Sequence, residues 1–248
     1  MKVAVVQYDI AWENPTLNKP RIINLLRPLE EGAVDWLIFP EAALTGFSMD
    51  VSKTEVVDGD ITFFKEIAEK KKCYVTFGVF KDRKNCLFTF SPSGKILGEY
   101  AKMHLFSYAG EHAIYKPGLG QRPLEISDFK IMPSICYDLR FSYLYWDKAA
   151  DTDVFLVCAN WPEARREHWV TLLKARAIEN QCFVIGVNRI GKDPKVSYSG
   201  DSMIIDPFGR IILDCGNKEG VFKAELEKAL IVNVRETYPF INDRIKKS

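Results

Sequence analysis

"WLIFPEAALTGF" (36–47) opens on four residues, Trp36 to Phe39, in which neither alternate face carries a charged or hydroxylic side chain. A strand facing water shows polar residues at every second position, so a run without them is buried on both faces. The same signature recurs in "VAVVQ" (3–7) and "VFLVC" (154–158). Working outward, strands are predicted at 2–8, 35–39, 74–80, 86–91, 95–101, 124–135, 153–159, 182–188, 201–206, 210–214 and 229–234. Helical periodicity covers 17–31, 61–72, about 140–150 and 163–180. Pro20 is tolerated only in an opening turn, which places the first helix start near Leu17–Lys19. "SPSGK" (91–95) and "DPFGR" (206–210) read as hairpin turns. These strands are more than one open sheet holds comfortably. The expectation is an α/β fold of two mixed sheets packed face to face, with helices outside.

No linker, repeat or low-complexity tract divides the 248 residues, so a single domain is expected over 1–248, with 236–248 a C-terminal tail. The net charge is +1 with both signs interspersed, which gives no electrostatic reason to expect nucleic acid or an anionic membrane as a partner. The basic clusters "EKKK" (69–72) and "RIKKS" read as solvated faces. "MKVAVVQYDI" is too short and too alternating for a signal peptide, and no apolar run approaches the ~18 residues of a membrane span. Six cysteines form no CxxC pair, and Cys73, Cys86, Cys158 and Cys182 adjoin apolar runs. That usage suits a reducing cytoplasm. His104, His112 and His168 lack metal-ligand spacing, so no metal is expected.

Three stretches share one punctuation: a strand that ends on a reactive side chain. Glu41 follows the apolar run and Pro40 directly, where desolvation would lift its pKa toward that of a general base. A surface glutamate at a strand end is the plainer alternative. In "GEYAKMHLF" (98–106), Lys102 alternates with Tyr100 and His104. It is either an exposed edge-strand lysine or an ammonium that steadies a thiolate and a developing oxyanion. In "SICYDLRF" (134–141), Cys136 sits where a strand turns into a predicted helix, a bend that exposes a nucleophile and brings the Tyr137 N–H beside it. Asp138 and Arg140 read as residues that cap or hold this turn. No histidine accompanies the cysteine, so the residues point to Glu–Lys–Cys acyl transfer and not to a papain-like arrangement.

"FPEAALTGF", "KMHLF" and "SICYDLRF", in that order, resemble the carbon–nitrogen hydrolases of the nitrilase superfamily. The resemblance extends through "QYD", "CANWPEARREHWVTLLKARAIENQCFVIGVNRIG" and "SYSGDSMIIDPFGRII". It implies a four-layer α-β-β-α sandwich, a homodimer or higher homo-oligomer, commonly dimerised across helices, and no metal or organic cofactor. It also implies Glu41 as general base, Lys102 as cationic stabiliser and Cys136 as nucleophile. A second glutamate is expected between the lysine and the cysteine: Glu111 in "SYAGEHAIYKPG" is preferred over Glu125 in "RPLEISDF". "CYDLRF" resembles the ω-amidase-like branch, which hydrolyses terminal amides of 2-oxo dicarboxylic acid monoamides such as 2-oxoglutaramate. True nitrilases typically carry Cys-Trp-Glu there. Such a substrate bears a far carboxylate, for which Arg140, Arg165 and Arg166 are the candidate cations, with Trp161 a pocket wall and Tyr137 supplying its amide. An N-carbamoyl amidohydrolase, a nitrilase and a catalytically silent binding subunit are the alternatives. Tyr238, Phe240 and Ile241 of the tail are expected to reach across the dimer interface.

Overall fold

The computed structural model describes residues 1–245. Positions 246–248, the last of the tail and of the "RIKKS" cluster, lie outside the described residues. In chain order the first half comprises β1 (Lys2–Gln7), α1 (Pro15–Leu26), β2 (Trp36–Ile38), α2 (Val51–Thr54), α3 (Asp58–Lys71), β3 (Tyr74–Lys81), β4 (Lys84–Phe90), β5 (Ile96–Ala101) and α4 (Glu111–Ile114). Then come β6 (Leu124–Ile126), β7 (Phe129–Ile135), α5 (Tyr143–Trp146), β8 (Val154–Ala159), α6 (Arg166–Asn180), β9 (Phe183–Asn188), β10 (Ile190–Lys192) and β11 (Ser197–Ser199). The chain closes with β12 (Met203–Ile205), β13 (Ile211–Asp214), β14 (Gly220–Glu225) and α7 (Lys228–Thr237).

Two six-stranded sheets run in the orders β14-β1-β2-β3-β4-β5 and β13-β12-β9-β8-β7-β6. In each, a parallel trio (β1, β2, β3 or β7, β8, β9) is flanked by antiparallel strands. Side-chain alternation distributes the core into three layers. Val3, Val5, Trp36 and Ile38 of the first sheet meet Ile131, Ile135, Leu156 and Ile185 of the second. The intervening residues Ala4, Val6 and Phe77 pack under Ile22 and Leu26 of α1 and Phe64 and Ile67 of α3. On the far side, Phe155, Val157 and Val184 pack under Trp169, Leu173 and Ala177, the apolar stripe of α6. The result is the expected four-layer α-β-β-α sandwich. Buried runs such as Trp36–Phe39 are apolar on both faces because each strand has a sheet on one side and a helix on the other.

Several local expectations are corrected. Segment 229–234 is not a strand but lies within α7, where Ile231 and Val234, three apart, bury one face. The strand near there is β14, whose burial pattern is largely intermediate because it edges the sheet. Segment 124–135 is two strands, split where Ser127 turns with φ +55°. The helix expected near 140–150 reduces to the single turn of α5 between 3₁₀ turns at Cys136–Arg140 and Ala149–Asp151. Helix α1 starts at Pro15, capped by the Asn14 side chain on the Leu17 N–H, and carries Pro20 in its interior. Both hairpin turns form as read: Ser91 and Asp206 donate their N–H groups to Lys95 and Arg210, with Gly94 and Gly209 at positive φ. Tail residue Arg244 folds back on its own chain, donating to the Trp146 carbonyl and stacking on that indole. Tyr238 and Phe240 stay exposed, at 44% and 61%.

Candidate active site

Four loops from the same end of the sandwich converge on one buried cluster. The stretch after β2 is laced to β3: the Gly78 N–H donates to the Pro40 carbonyl at 3.1 Å, and the Ala43 N–H to the Gly78 carbonyl at 2.7 Å. A Cβ at Gly78 would lie 2.5 Å from the Glu41 Cα, so only glycine allows this approach. The strand end thus enters the interior with Glu41 fully buried and Ala42 in the left-handed region at φ +48°.

Lys102 follows the edge strand β5 yet is only 1% exposed, so the surface alternative is excluded. Its N–H is fixed by the Asn85 carbonyl at 2.8 Å, and its carbonyl accepts from the Gly118 N–H. Its ammonium lies 3.1 Å from Glu41 Oε1 and 2.9 Å from Glu111 Oε2. Glu111 heads α4, is fully buried, and accepts the Phe106 N–H at 2.6 Å. Glu125 is exposed on β6, so of the two candidates only Glu111 joins the cluster. Burial opposes the charge on Lys102, but the fields of Glu111 and Glu41 outweigh it and hold its pKa above the ordinary lysine value. Lys102 is therefore a permanent cation.

Cys136 stands at the end of β7 with φ +44°, a strained conformation for any residue with a Cβ. It is partly accessible, whereas the other five cysteines are buried; all six are free. Burial pushes the Cys136 thiol well above its ordinary value; Glu41 adds to this and Lys102 opposes it. The resting sulfur is a neutral thiol, not the thiolate that a neighbouring lysine suggested. Its S–H points to the Asn160 carbonyl at 3.9 Å, a long and weak contact. Asp138 holds the turn behind it, accepting from the Ile135 N–H at 3.0 Å, the His104 N–H at 2.9 Å and the Tyr100 hydroxyl at 2.7 Å. Arg140 is not its partner.

Tyr137 follows the sulfur, with its ring 5.0 Å from Phe106 and 5.1 Å from Phe141. Trp161 is buried; its indole N–H donates to the Arg165 carbonyl at 2.8 Å, and the Arg140 guanidinium covers its ring at 4.9 Å. Arg140 also donates to His168 Nδ1 at 3.1 Å, and Arg165 lies over Phe106 at 5.5 Å; neither faces a carboxylate among the described residues. Arg166 differs: its guanidinium is committed to Asp201 through two contacts of 2.9 Å.

Three residues of the cluster had no role in the sequence reading. Asn85 donates to both glutamates, at 2.7 Å to Glu41 and 3.0 Å to Glu111. Asn160 gives its backbone N–H to Glu41 Oε2 at 2.7 Å and its amide to the Glu41 carbonyl at 2.6 Å. Asn188 locks the Trp161 backbone, accepting its N–H at 2.7 Å. The available signal was a buried-register asparagine: Asn85 alternates with Leu87, which faces the second sheet.

The arrangement is that of a hydrolase fold in which a partly accessible thiol sits beside a buried glutamate–lysine–glutamate cluster. The chain belongs to the carbon–nitrogen hydrolase family, whose model matches residues 2–236. It is 32% identical to a 2-oxoglutaramate amidase of Bacillus subtilis over 97% of this chain and 96% of that one. It is 33% identical to an omega-amidase of Yersinia enterocolitica over 99% and 97%. Among solved structures, a CN-hydrolase superfamily protein of Xanthomonas campestris with an arsenic adduct in its active site superposes with a TM-score of 0.94. That pair shares 32% identity, covering 100% of this chain and 98% of the other.

Gly78→Ala is predicted to displace Glu41 and to cost roughly 10²-fold in amide hydrolysis, the usual loss for a misplacement of about 1 Å. Circular dichroism should stay that of the wild type. Near-normal turnover would show that this backbone approach does not set Glu41.

Proposed function

We propose that the protein is an ω-amidase-like enzyme, hydrolysing the terminal carboxamide of a small carboxylic acid such as 2-oxoglutaramate through a Cys136 thioester. The observation that carries this is the buried Lys102 held between Glu41 and Glu111 beside a neutral thiol. Near-full-length similarity to amidases named for this reaction supports the substrate class.

A neutral thiol needs a base at the moment of attack. Glu41 Oε1 already accepts from Lys102 and Asn85, whereas Oε2 accepts only the Asn160 N–H and keeps a lone pair for the proton. Glu41 takes that proton as the sulfur attacks the amide carbon. Of the three Lys102 donors, two serve the glutamates, leaving one for the oxyanion alongside the Tyr137 N–H. Protonated Glu41 gives its proton to the departing nitrogen, and ammonia leaves a thioester. Glu41 then draws a proton from water, which attacks the thioester and releases the acid with the thiol restored.

Ammonia release from 2-oxoglutaramate, compared with glutamine, an N-carbamoyl amino acid and a nitrile, tests the assignment. Turnover of the nitrile alone would overturn it. Lys102→Ala should lose at least roughly 10²–10³-fold in kcat, the usual cost of one oxyanion donor.

For the substrate's carboxylate, Arg140 has a guanidinium that no carboxylate neutralises among the described residues, backed by Trp161. Arg140→Leu should raise KM for 2-oxoglutaramate by about tenfold or more, as expected for a lost charged contact. KM for an uncharged aliphatic amide should hardly move. Equal effects on both substrates would exclude this role.

The enzyme is further assigned to the cytoplasm, on its free, buried cysteines, and to a homodimer. Ile178 on α6 is 53% exposed and adjoins Gly209, while Phe208, Tyr238 and Phe240 continue the apolar patch. Ile178→Arg is expected to halve the sedimenting mass. An unchanged mass would place any interface elsewhere.

A further inference from the structure

The cluster around Lys102 poses an electrostatic problem that its ammonium alone does not solve. Two buried carboxylates and one cation leave a net charge of −1 in the interior. Carboxylates this close ordinarily relieve such a charge by sharing a proton, as paired aspartates do. A proton shared with Glu111 would leave Glu41 unable to take one from the thiol.

Asn85 occupies the place such a proton would fill. Its fully buried Nδ2 donates one hydrogen to Glu41 Oε1 at 2.7 Å and the other to Glu111 Oε1 at 3.0 Å. Lys102 Nζ closes the ring from the opposite side, at 3.1 Å and 3.2 Å from the same two oxygens. Each oxygen therefore lies between two donors. The orientation of the amide is forced, because its Oδ1 could not face two carboxylates; that oxygen is left buried without a partner. The backbone binds Asn85 to the same centre, since its carbonyl accepts the Lys102 N–H at 2.8 Å.

We propose that Asn85 is a positioning residue that keeps Glu41 and Glu111 from sharing a proton, so that Glu41 is available as a base at and below neutral pH. The inference rests on Glu41 serving as the base, the reading given above. A neutral donor suits the task. A second cation would neutralise the cluster and weaken Glu41 as an acceptor, whereas an apolar side chain would leave the gap to a proton. Among the described residues, the titratable groups that face Glu41 or feel its charge are Lys102, Glu111 and Cys136, with Tyr198 and Cys158, both raised by burial and neutral. None of these can replace the amide's two hydrogens.

The test replaces Asn85 and follows pH from about 5 to 9 by two readouts: kcat/KM for amide hydrolysis, and the rate of Cys136 alkylation by iodoacetamide. Alkylation depends on Glu41 taking the thiol proton but not on which amide is the substrate, so it still reports on Asn85 if the assigned substrate is wrong. In Asn85→Leu the acid limb of both profiles should move up by about one pH unit or more, the scale of a carboxylate gaining a like-charged neighbour. Activity should be lost mainly at acid pH and recover as pH rises, with KM changed less than about twofold, because the side-chain amide of Asn85 is fully buried with both its hydrogens on the two glutamates. Nearly isosteric Asn85→Asp serves if the leucine variant does not fold; it adds a carboxyl where the donor stood and should move the limb the same way. A loss uniform across pH, with the acid limb of alkylation unmoved in the variant that folds, would reduce Asn85 to a packing residue and overturn the proposal.

Discussion

A single ammonium shared by two buried carboxylates is the interaction on which the chemistry-bearing end of this protein depends. Three ionised groups could not occupy that interior separately, since each would carry a desolvation penalty of several kcal/mol. Together they satisfy one another, and the bonds they make also place the backbone. Glu41 arrives after β2, Lys102 after β5, and Glu111 at the head of α4. The ion cluster therefore ties the connection after β2 to both ends of the connection between β5 and α4. Removing one partner would strand a charge and loosen a loop at once, which is why such clusters are strongly destabilised by single truncations. Burial, reinforced by the field of Glu41 and opposed by that of Lys102, holds the Cys136 thiol above its ordinary value.

Local backbone strain completes the arrangement. Ala42, the residue after Glu41, and Cys136 itself both lie at positive φ. Such conformations cost about 1–3 kcal/mol each and persist only where the surroundings leave no alternative. For Ala42 the constraint is Gly78, whose missing side chain admits the strand end. For Cys136 it is Asp138, which accepts from Ile135 just before the bend and from His104 in the connection after β5.

What could be read in the sequence followed from burial. The apolar runs through Trp36, Val154 and Val3 identified strands covered on both faces, and from these the layered sandwich follows. Glu41, Lys102 and Cys136 stood out because each stands where a strand ends. What was not legible depended on contacts distant in the chain. Asn85 and Gly78 look like ordinary strand residues until Glu41 is seen against them, and nothing local distinguishes Arg140 from Arg166 until Asp201 is found on the latter. The β-branched "LIVNV" of α7 was misread because strand propensity is overridden when two residues three apart find a buried face. The repeated pattern of the two sheets has no counterpart in any visible sequence repeat.

That pattern is completed in different ways in the two halves. In the second sheet the strand outside the parallel trio, β6, immediately precedes its partner β7. In the first sheet the equivalent strand is β14, which pairs Gly220–Glu225 with Lys2–Gln7 from the other end of the chain. During synthesis, β1 emerges before every other strand of the two sheets and its partner β14 after all of them. The nascent chain carries an open apolar strand edge until β14 is made, while the second sheet can close as soon as its own segment is made. The sheet that leads into Cys136 is thus built from one continuous stretch of chain, whereas the sheet that leads into Glu41 and Lys102 is sealed only after every strand of the other has been made.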